Sequence, residues 1–182
     1  MARVPVHDLD DAPDASREPL ERQAERLGKV INIHGSMAHS PALIGMYDAV
    51  EQVLRERSSL DAATRSAIHL TVANVNDCSY CQAAYTGSSR KNGFSEEQTL
   101  QIRRGVLDED ERLTALLTFA RELADRSGYV ADGTWQATLD AGWSDQDLLA
   151  AYAEVIRTVL TNWFNHLNDT ELDLPPAPPL EG

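Results

Sequence analysis

The chain has 182 residues, 29 acidic against 16 basic side chains, a formal net charge of −13, and 42% apolar but only 6% aromatic residues. Such an acid excess excludes nucleic acid as a partner, because a phosphate backbone is gripped by clustered Lys and Arg, and it opposes docking on an anionic membrane. No apolar run of about 18 residues is present to span a bilayer, and Met1 to Pro19 lacks the apolar stretch of a signal peptide. A cytoplasmic location is therefore expected, where thiols stay mostly reduced and a close cysteine pair is catalytic or metal-binding sooner than a structural staple.

Residues 1–17, with Asp8, Asp10, Asp11 and Asp14, are expected to form a poorly ordered acidic lead-in. One helical domain is expected over 18–175, followed by a Pro-rich tail over 176–182. Leu20, Ala24, Leu27, Val30 and Ile31 step by threes and fours and predict a first helix, closed by Gly35. Ser40-Pro41 opens the next as N-cap and first helical residue, with Leu43, Ile44, Tyr47, Val50 and Val53 inward.

Ser59-Leu60-Asp61 starts a helix that carries Ala63, Ala67, Leu70 and Val72 on its core side and breaks over Asn74 to Asp77. Cys78 to Tyr85 reads as two turns of a following helix, with Asp77 as its cap. Ser95 and Gln98 have the spacing of a capping box, and Gly105 closes that short helix. Asp108 to Arg126, Thr134 to Ala141 and a last long helix from Ser144 through Phe164 complete the reading. No strand-period alternation persists, so the fold class is all-α with seven or eight helices.

Cys78-Ser79-Tyr80-Cys81 holds both cysteines of the chain. Two thiols at this spacing can cycle between dithiol and disulfide, hold half of a metal site, or pack as small apolar filler. A helix N-terminus favours a thiolate, by about 0.3–1 kcal/mol. A base beside the thiol does more, since general base catalysis is typically worth about 10²–10⁴ in rate. The position one turn beyond Cys81 is Tyr85, a phenol that can hydrogen-bond a thiolate but cannot take its proton at neutral pH. Zinc wants four ligands, and the histidines lie at no finger spacing, so neither metal nor cofactor is called for.

The run from Thr64-Arg65-Ser66-Ala67-Ile68-His69 to Cys78-Ser79-Tyr80-Cys81, then Gly93-Phe94-Ser95, Arg103-Arg104-Gly105, Ala141-Gly142-Trp143 and Asn165-His166-Leu167-Asn168, resembles the carboxymuconolactone decarboxylase and alkylhydroperoxidase D-like (AhpD-like) family. The resemblance covers about residues 25–175 and implies an all-helical, AhpD-like bundle that assembles into trimers or hexamers. It implies Cys81 as the attacking thiol and Cys78 as the resolving one. In redox-active members a Glu and a His relay the proton; the corresponding positions here are Ser66 and Tyr85, so the relay is altered. The implied substrate is a hydroperoxide or disulfide, and the implied reductant a lipoyl- or thiol-type dithiol.

His69, one turn beyond Ser66, is the candidate to replace the missing base. His166 is expected to serve hydrogen bonding at a helix end, and His34 and His39 carry no signal. The two functions that follow are a thiol–disulfide oxidoreductase or peroxidase with an altered relay, and an inactive family member serving as an oligomeric binding or scaffold module. The first expects the sulfur pair at the mouth of a helical pocket.

Overall fold

The computed structural model describes residues 2–180, and among them the chain is all-helical with no strand. Nine helices follow in order among these residues: α1 (Asp14–Leu27), α2 (Asn32–Met37), α3 (Pro41–Arg57), α4 (Ala62–Val75), α5 (Ser79–Lys91), α6 (Glu96–Arg103), α7 (Glu111–Asp125), α8 (Asp132–Asp140) and α9 (Asp145–Asn168). They fall into two compact units. One holds the chain up to Arg57 together with Trp163–Asp173; the other holds Ser58–Asn162 and the chain from Leu174 onward.

In the first unit α1 packs on α3, with α2 against both. The expected first helix is two helices, which raises the count to nine. Gly28, at φ +81°, takes the left-handed conformation that only glycine adopts cheaply, and its N–H returns to the Ala24 carbonyl to end α1. Gly35 is therefore no stop. It lies inside α2, where a Cβ would meet the His7 carbonyl oxygen and Val6 Cγ1, both at 2.4 Å. Close passage of the segment through Val6 and His7 is what requires glycine here, and the His7 N–H donates to the Gly35 carbonyl at 3.2 Å.

Ser40 caps α3 as expected, its Oγ accepting from the Leu43 N–H at 3.3 Å. The buried face of α3 is rotated from the expected one: Val53 is exposed, while Asp48 and Glu51 are buried with Ile44, Tyr47 and Leu54. Asp48 belongs inside because it is paired there, accepting from Arg22 Nε at 2.8 Å and Gln23 Nε2 at 2.8 Å.

The second unit is built round α4, which packs against α5, α6 and α7. Every residue from Ser66 to Ala73 is buried. A helix enclosed on all sides shows no clean apolar stripe, which is why periodicity alone marks only part of its core face. Asp61 caps it, accepting from the Thr64 N–H at 2.8 Å.

α4 and α5 run antiparallel. The Cys78 N–H donates to the Ala73 carbonyl at 3.0 Å, and far along both helices Ser89 Oγ donates to the Ser66 carbonyl at 3.3 Å. Asp77, at φ +51°, makes the reversal between them. Ser95 and Gln98 form the expected capping box of α6.

Two glycine substitutions separate close approach from helix propensity. Gly35→Ala is expected to destabilise the protein by about 1–3 kcal/mol through the forced contact with Val6 and His7. Gly45→Ala, in open space inside α3, is expected to stabilise by roughly 0.5–1 kcal/mol. Urea unfolding midpoints of the two variants against the parent check both signs.

Candidate functional site

The cysteines open α5, and the local backbone explains their placement. Asp77 occupies the reversal and is exposed, so the cap falls to Cys78, whose extended backbone (φ −91°, ψ 94°) suits it. Cys78 Sγ accepts from the Cys81 N–H at 3.4 Å. The expectation that Asp77 caps the helix is thus corrected, because a residue at positive φ cannot hold the extended cap conformation. Cys81 sits in the first turn, where backbone N–H groups lack intrahelical acceptors and favour negative charge.

Both side chains carry thiols and both are buried, at 1% exposure for Cys78 and 2% for Cys81. The sulfur pair is therefore not at an open pocket mouth. Their burial accompanies the packing of α5 on α4, a placement that two-residue spacing could not reveal.

Ser66 and Tyr85, at the positions where the resemblance implies Glu and His, are committed elsewhere. Ser66 Oγ donates back to the Ala63 carbonyl at 2.8 Å, a bond within its own helix. The Tyr85 hydroxyl accepts from Arg157 Nη1 and lies 3.2 Å from Thr161 Oγ1. The Thr161 hydroxyl gives its proton to the Thr158 carbonyl at 2.8 Å, which leaves Tyr85 to donate to Thr161.

His69 is brought into this group. Its ring packs against Tyr85 with centroids 5.1 Å apart and planes at 47°. Its Nε2 lies 2.7 Å from Glu154 Oε2, while Arg65 Nε donates to Glu154 Oε1 at 2.5 Å. Glu154 is fully buried at 0% exposure. Burial by itself raises its carboxyl pKa. The His69 hydrogen bond, the His69 charge when protonated, and the Arg65 charge and hydrogen bond outweigh that and hold the group below the usual carboxylate range.

The buried guanidinium of Arg103, from α6, reaches Gln82 on α5. Its Nη2 donates to Gln82 Oε1 at 2.9 Å, its Nε to Asn74 Oδ1 at 3.3 Å, and its Nη1 to the Pro178 carbonyl. Burial, then the neighbouring Arg104, lower its pKa; a guanidinium nonetheless stays charged. A cation is thus fixed on the residue that follows Cys81. His166 is exposed in the last turn of α9, while His34 is buried in α2. Among the described residues no group of three or more His, Cys, Asp or Glu side chains is arranged to hold a metal ion.

Glu154, Arg157, Thr158 and Thr161 were not singled out from sequence. Their signal lies in α9, where polar side chains at 154, 157, 158 and 161 share the buried stripe with Ala151 and Val155, while Leu149, Tyr152 and Ile156 face outward. A helix with apolar residues outside and polar ones inside marks a buried polar network; read by charge alone, Glu154 passes for a solvated residue.

Residues 41–122, which include the whole α4–α5 hairpin, match the carboxymuconolactone decarboxylase family. The fold is AhpD-like. An uncharacterized peroxidase-related protein from Ralstonia eutropha JMP134, described as an alkylhydroperoxidase AhpD core, superposes with a TM-score of 0.84 at 23% identity, over 94% of this chain and 92% of that one. A peroxidase-related protein from Silicibacter sp. TM1040 gives 0.78 at 21% identity, over 96% and 92%. A variant of the debrominase Bmp8, in complex with 2,3,4-tribromopyrrole, gives 0.82 at 14% identity, over 95% and 92%. At these identities the likeness is one of fold, and the neighbours themselves differ in chemistry. No curated protein sequence matches the chain. No helix among the described residues is long and apolar enough to cross a membrane.

The lowered carboxyl pKa of Glu154 has a definite sign in stability. Its folded pKa lies below the ordinary value of 4.5, so its contribution is complete above that value and disappears as pH falls through the folded pKa. Glu154→Gln is expected to cost roughly 3–5 kcal/mol near neutral pH, since it strands Arg65 beside a neutral amide. The gap from the parent should narrow as pH falls below about 4.5, measured by urea unfolding across pH 3–7.

Proposed function

We propose that the protein is a Cys-x-x-Cys oxidoreductase of the alkylhydroperoxidase or disulfide-reductase kind, working with an altered proton relay. The observation that carries this reading is the cysteine pair at the start of α5, with the Cys78 sulfur against the Cys81 N–H at 3.4 Å. A sulfur so close to the next first-turn residue is well placed for an intramolecular disulfide, and the helix N-terminus favours a thiolate at Cys81.

Cys81 is the attacking thiol and Cys78 the resolving one. With a hydroperoxide, the Cys81 thiolate takes the terminal oxygen: the S–O bond forms, the O–O bond breaks, and the alkoxide leaves as an alcohol after accepting a proton. Cys78 then attacks the sulfenic sulfur, a disulfide forms and water leaves. An external dithiol of lipoyl or similar type returns the pair to thiols, itself becoming a disulfide. With Ser66 and Tyr85 held in other hydrogen bonds, His69 is the base of choice. Tyr85 steadies the site as the hinge between His69 and Arg157. Because the thiols are buried, the reading requires the first turn of α5 to open transiently, a local event of lower cost than global unfolding.

The assembly belongs to the same proposal. Leu149, Tyr152 and Ile156 project from one face of α9 at 62%, 46% and 49% exposure, which supports a homo-oligomer, as trimer or hexamer. The same stripe favours the second reading, an oligomeric scaffold whose cysteines are inert filler.

Peroxide-driven oxidation separates the two readings. In the parent, tert-butyl hydroperoxide is expected to produce one intramolecular disulfide, reversible by a dithiol. Cys81→Ser should abolish oxidation, and Cys78→Ser should stop at a single sulfenic acid trapped by dimedone. Intact-mass spectra showing no oxidation of the parent would reject the enzyme and leave the scaffold.

A further inference from the structure

The geometry points to Glu154 as the positioning residue that gives His69 its role: its carboxylate holds the His69 proton on Nε2 and turns Nδ1 into the nitrogen that exchanges a proton with Cys81. This rests on the oxidoreductase reading above and adds a residue from α9 that neither the cysteine motif nor its spacing indicates.

Charge balance comes first. A carboxylate with no exposed surface needs a cation, and Arg65, with Nε 2.5 Å from Oε1, supplies a permanent one. His69 is therefore not needed for neutralisation. At the second oxygen, 2.7 Å away, only a donor can bind an ionised carboxylate, so His69 Nε2 bears a proton. In the neutral imidazole the basic nitrogen is then Nδ1. The carboxylate also stabilises the imidazolium that forms when the proton arrives, as a buried acid does beside a catalytic histidine in general.

Position comes second. The antiparallel hairpin pairs Ser66 with Ser89, His69 with Tyr85, and Ala73 with Cys78. Cys81 is one helical turn from Tyr85 on the same side of α5, so it stands one turn along from the His69 ring. A water or a small side-chain rotation spans such an offset, and catalytic hydrogen bonds are often long before substrate arrives. Glu154 and Tyr85 face His69, Arg65 shares the Glu154 carboxylate, Arg157 binds the Tyr85 hydroxyl, and Cys78 and Cys81 lie further along the hairpin.

The protons balance. Cys81 gives its thiol proton to His69 Nδ1 as the thiolate attacks the peroxide, and the imidazolium then returns that proton to the departing alkoxide. Glu154 stays ionised throughout and His69 ends neutral. The chain thus replaces the altered Ser66 and Tyr85 positions with a pair drawn from α4 and α9.

Two measurements on the full chain test this. The ¹⁵N shifts of His69 in the parent protein, followed through its titration, should report the Nε2–H form when neutral; an Nδ1–H form would overturn the inference without touching the role of the cysteines. The second measurement is the pH dependence of Cys81 oxidation by tert-butyl hydroperoxide in Glu154→Gln. The rate is expected to fall at least about tenfold, with the half-maximal pH moving lower, because the imidazolium loses its carboxylate. His69→Gln should lose the same limb of the profile. A purely structural Glu154 would change stability and leave the half-maximal pH where it is, which also overturns the inference. A parent whose Cys81 never reacts would instead bring down the oxidoreductase reading itself.

Discussion

An ionised carboxylate without solvent is the constraint on which the second unit depends. Removing such a group from water costs several kcal/mol even after relaxation, and Glu154 meets that cost only if both its oxygens find donors. Arg65 and His69 supply them, and both lie on α4 one turn apart. The register of α9 along α4 follows from that demand. It continues through Asn76 Nδ2, which donates to Asn162 Oδ1 at 2.8 Å, and through Ser59 Oγ, which donates to Asp147 Oδ1 at 2.6 Å.

The same clamp settles the surroundings of the cysteines. With α4 fixed, the short reversal at Asp77 can return α5 only along its flank, and the Cys78 N–H closes on the Ala73 carbonyl. Tyr85 then fills the space beside His69 that a smaller side chain would leave open. Its hydroxyl, buried with it, must be satisfied, and Arg157 and Thr161 do so from α9. Ser66, by contrast, satisfies itself within its own helix. The Arg65–Glu154–His69 group and the Arg157–Tyr85–Thr161 group thus meet where the His69 and Tyr85 rings pack.

The likeness to AhpD-like structures is one of architecture, and the solved neighbours span peroxidase-related proteins and a debrominase. A fold that hosts several chemistries assigns none by itself. What this chain adds is local: a histidine within the hairpin bonded to a buried carboxylate, and a tyrosine held by an arginine where the resemblance implies a histidine.

Much was legible in the sequence wherever the signal is local. Ser40, Asp61, Ser95 and Gln98 announce helix starts by short-range hydrogen bonding that needs no partner from elsewhere, and the structure has each bond. The all-helical class followed from periodicity, and the likeness to AhpD-like folds from motif order. Gly28 and Gly35 depart from expectation because a glycine in a helical pattern can mean either a left-handed stop or a close approach, and only the position of Val6 and His7 distinguishes them. The pairing of His69 with Glu154, 85 residues apart, and the burial of both thiols required the packed chain. By itself the sequence determined which helices form and that two thiols share one turn. Tertiary structure alone decided which charged groups are taken out of water together, because desolvation is a property of the assembled interior and not of any stretch of chain.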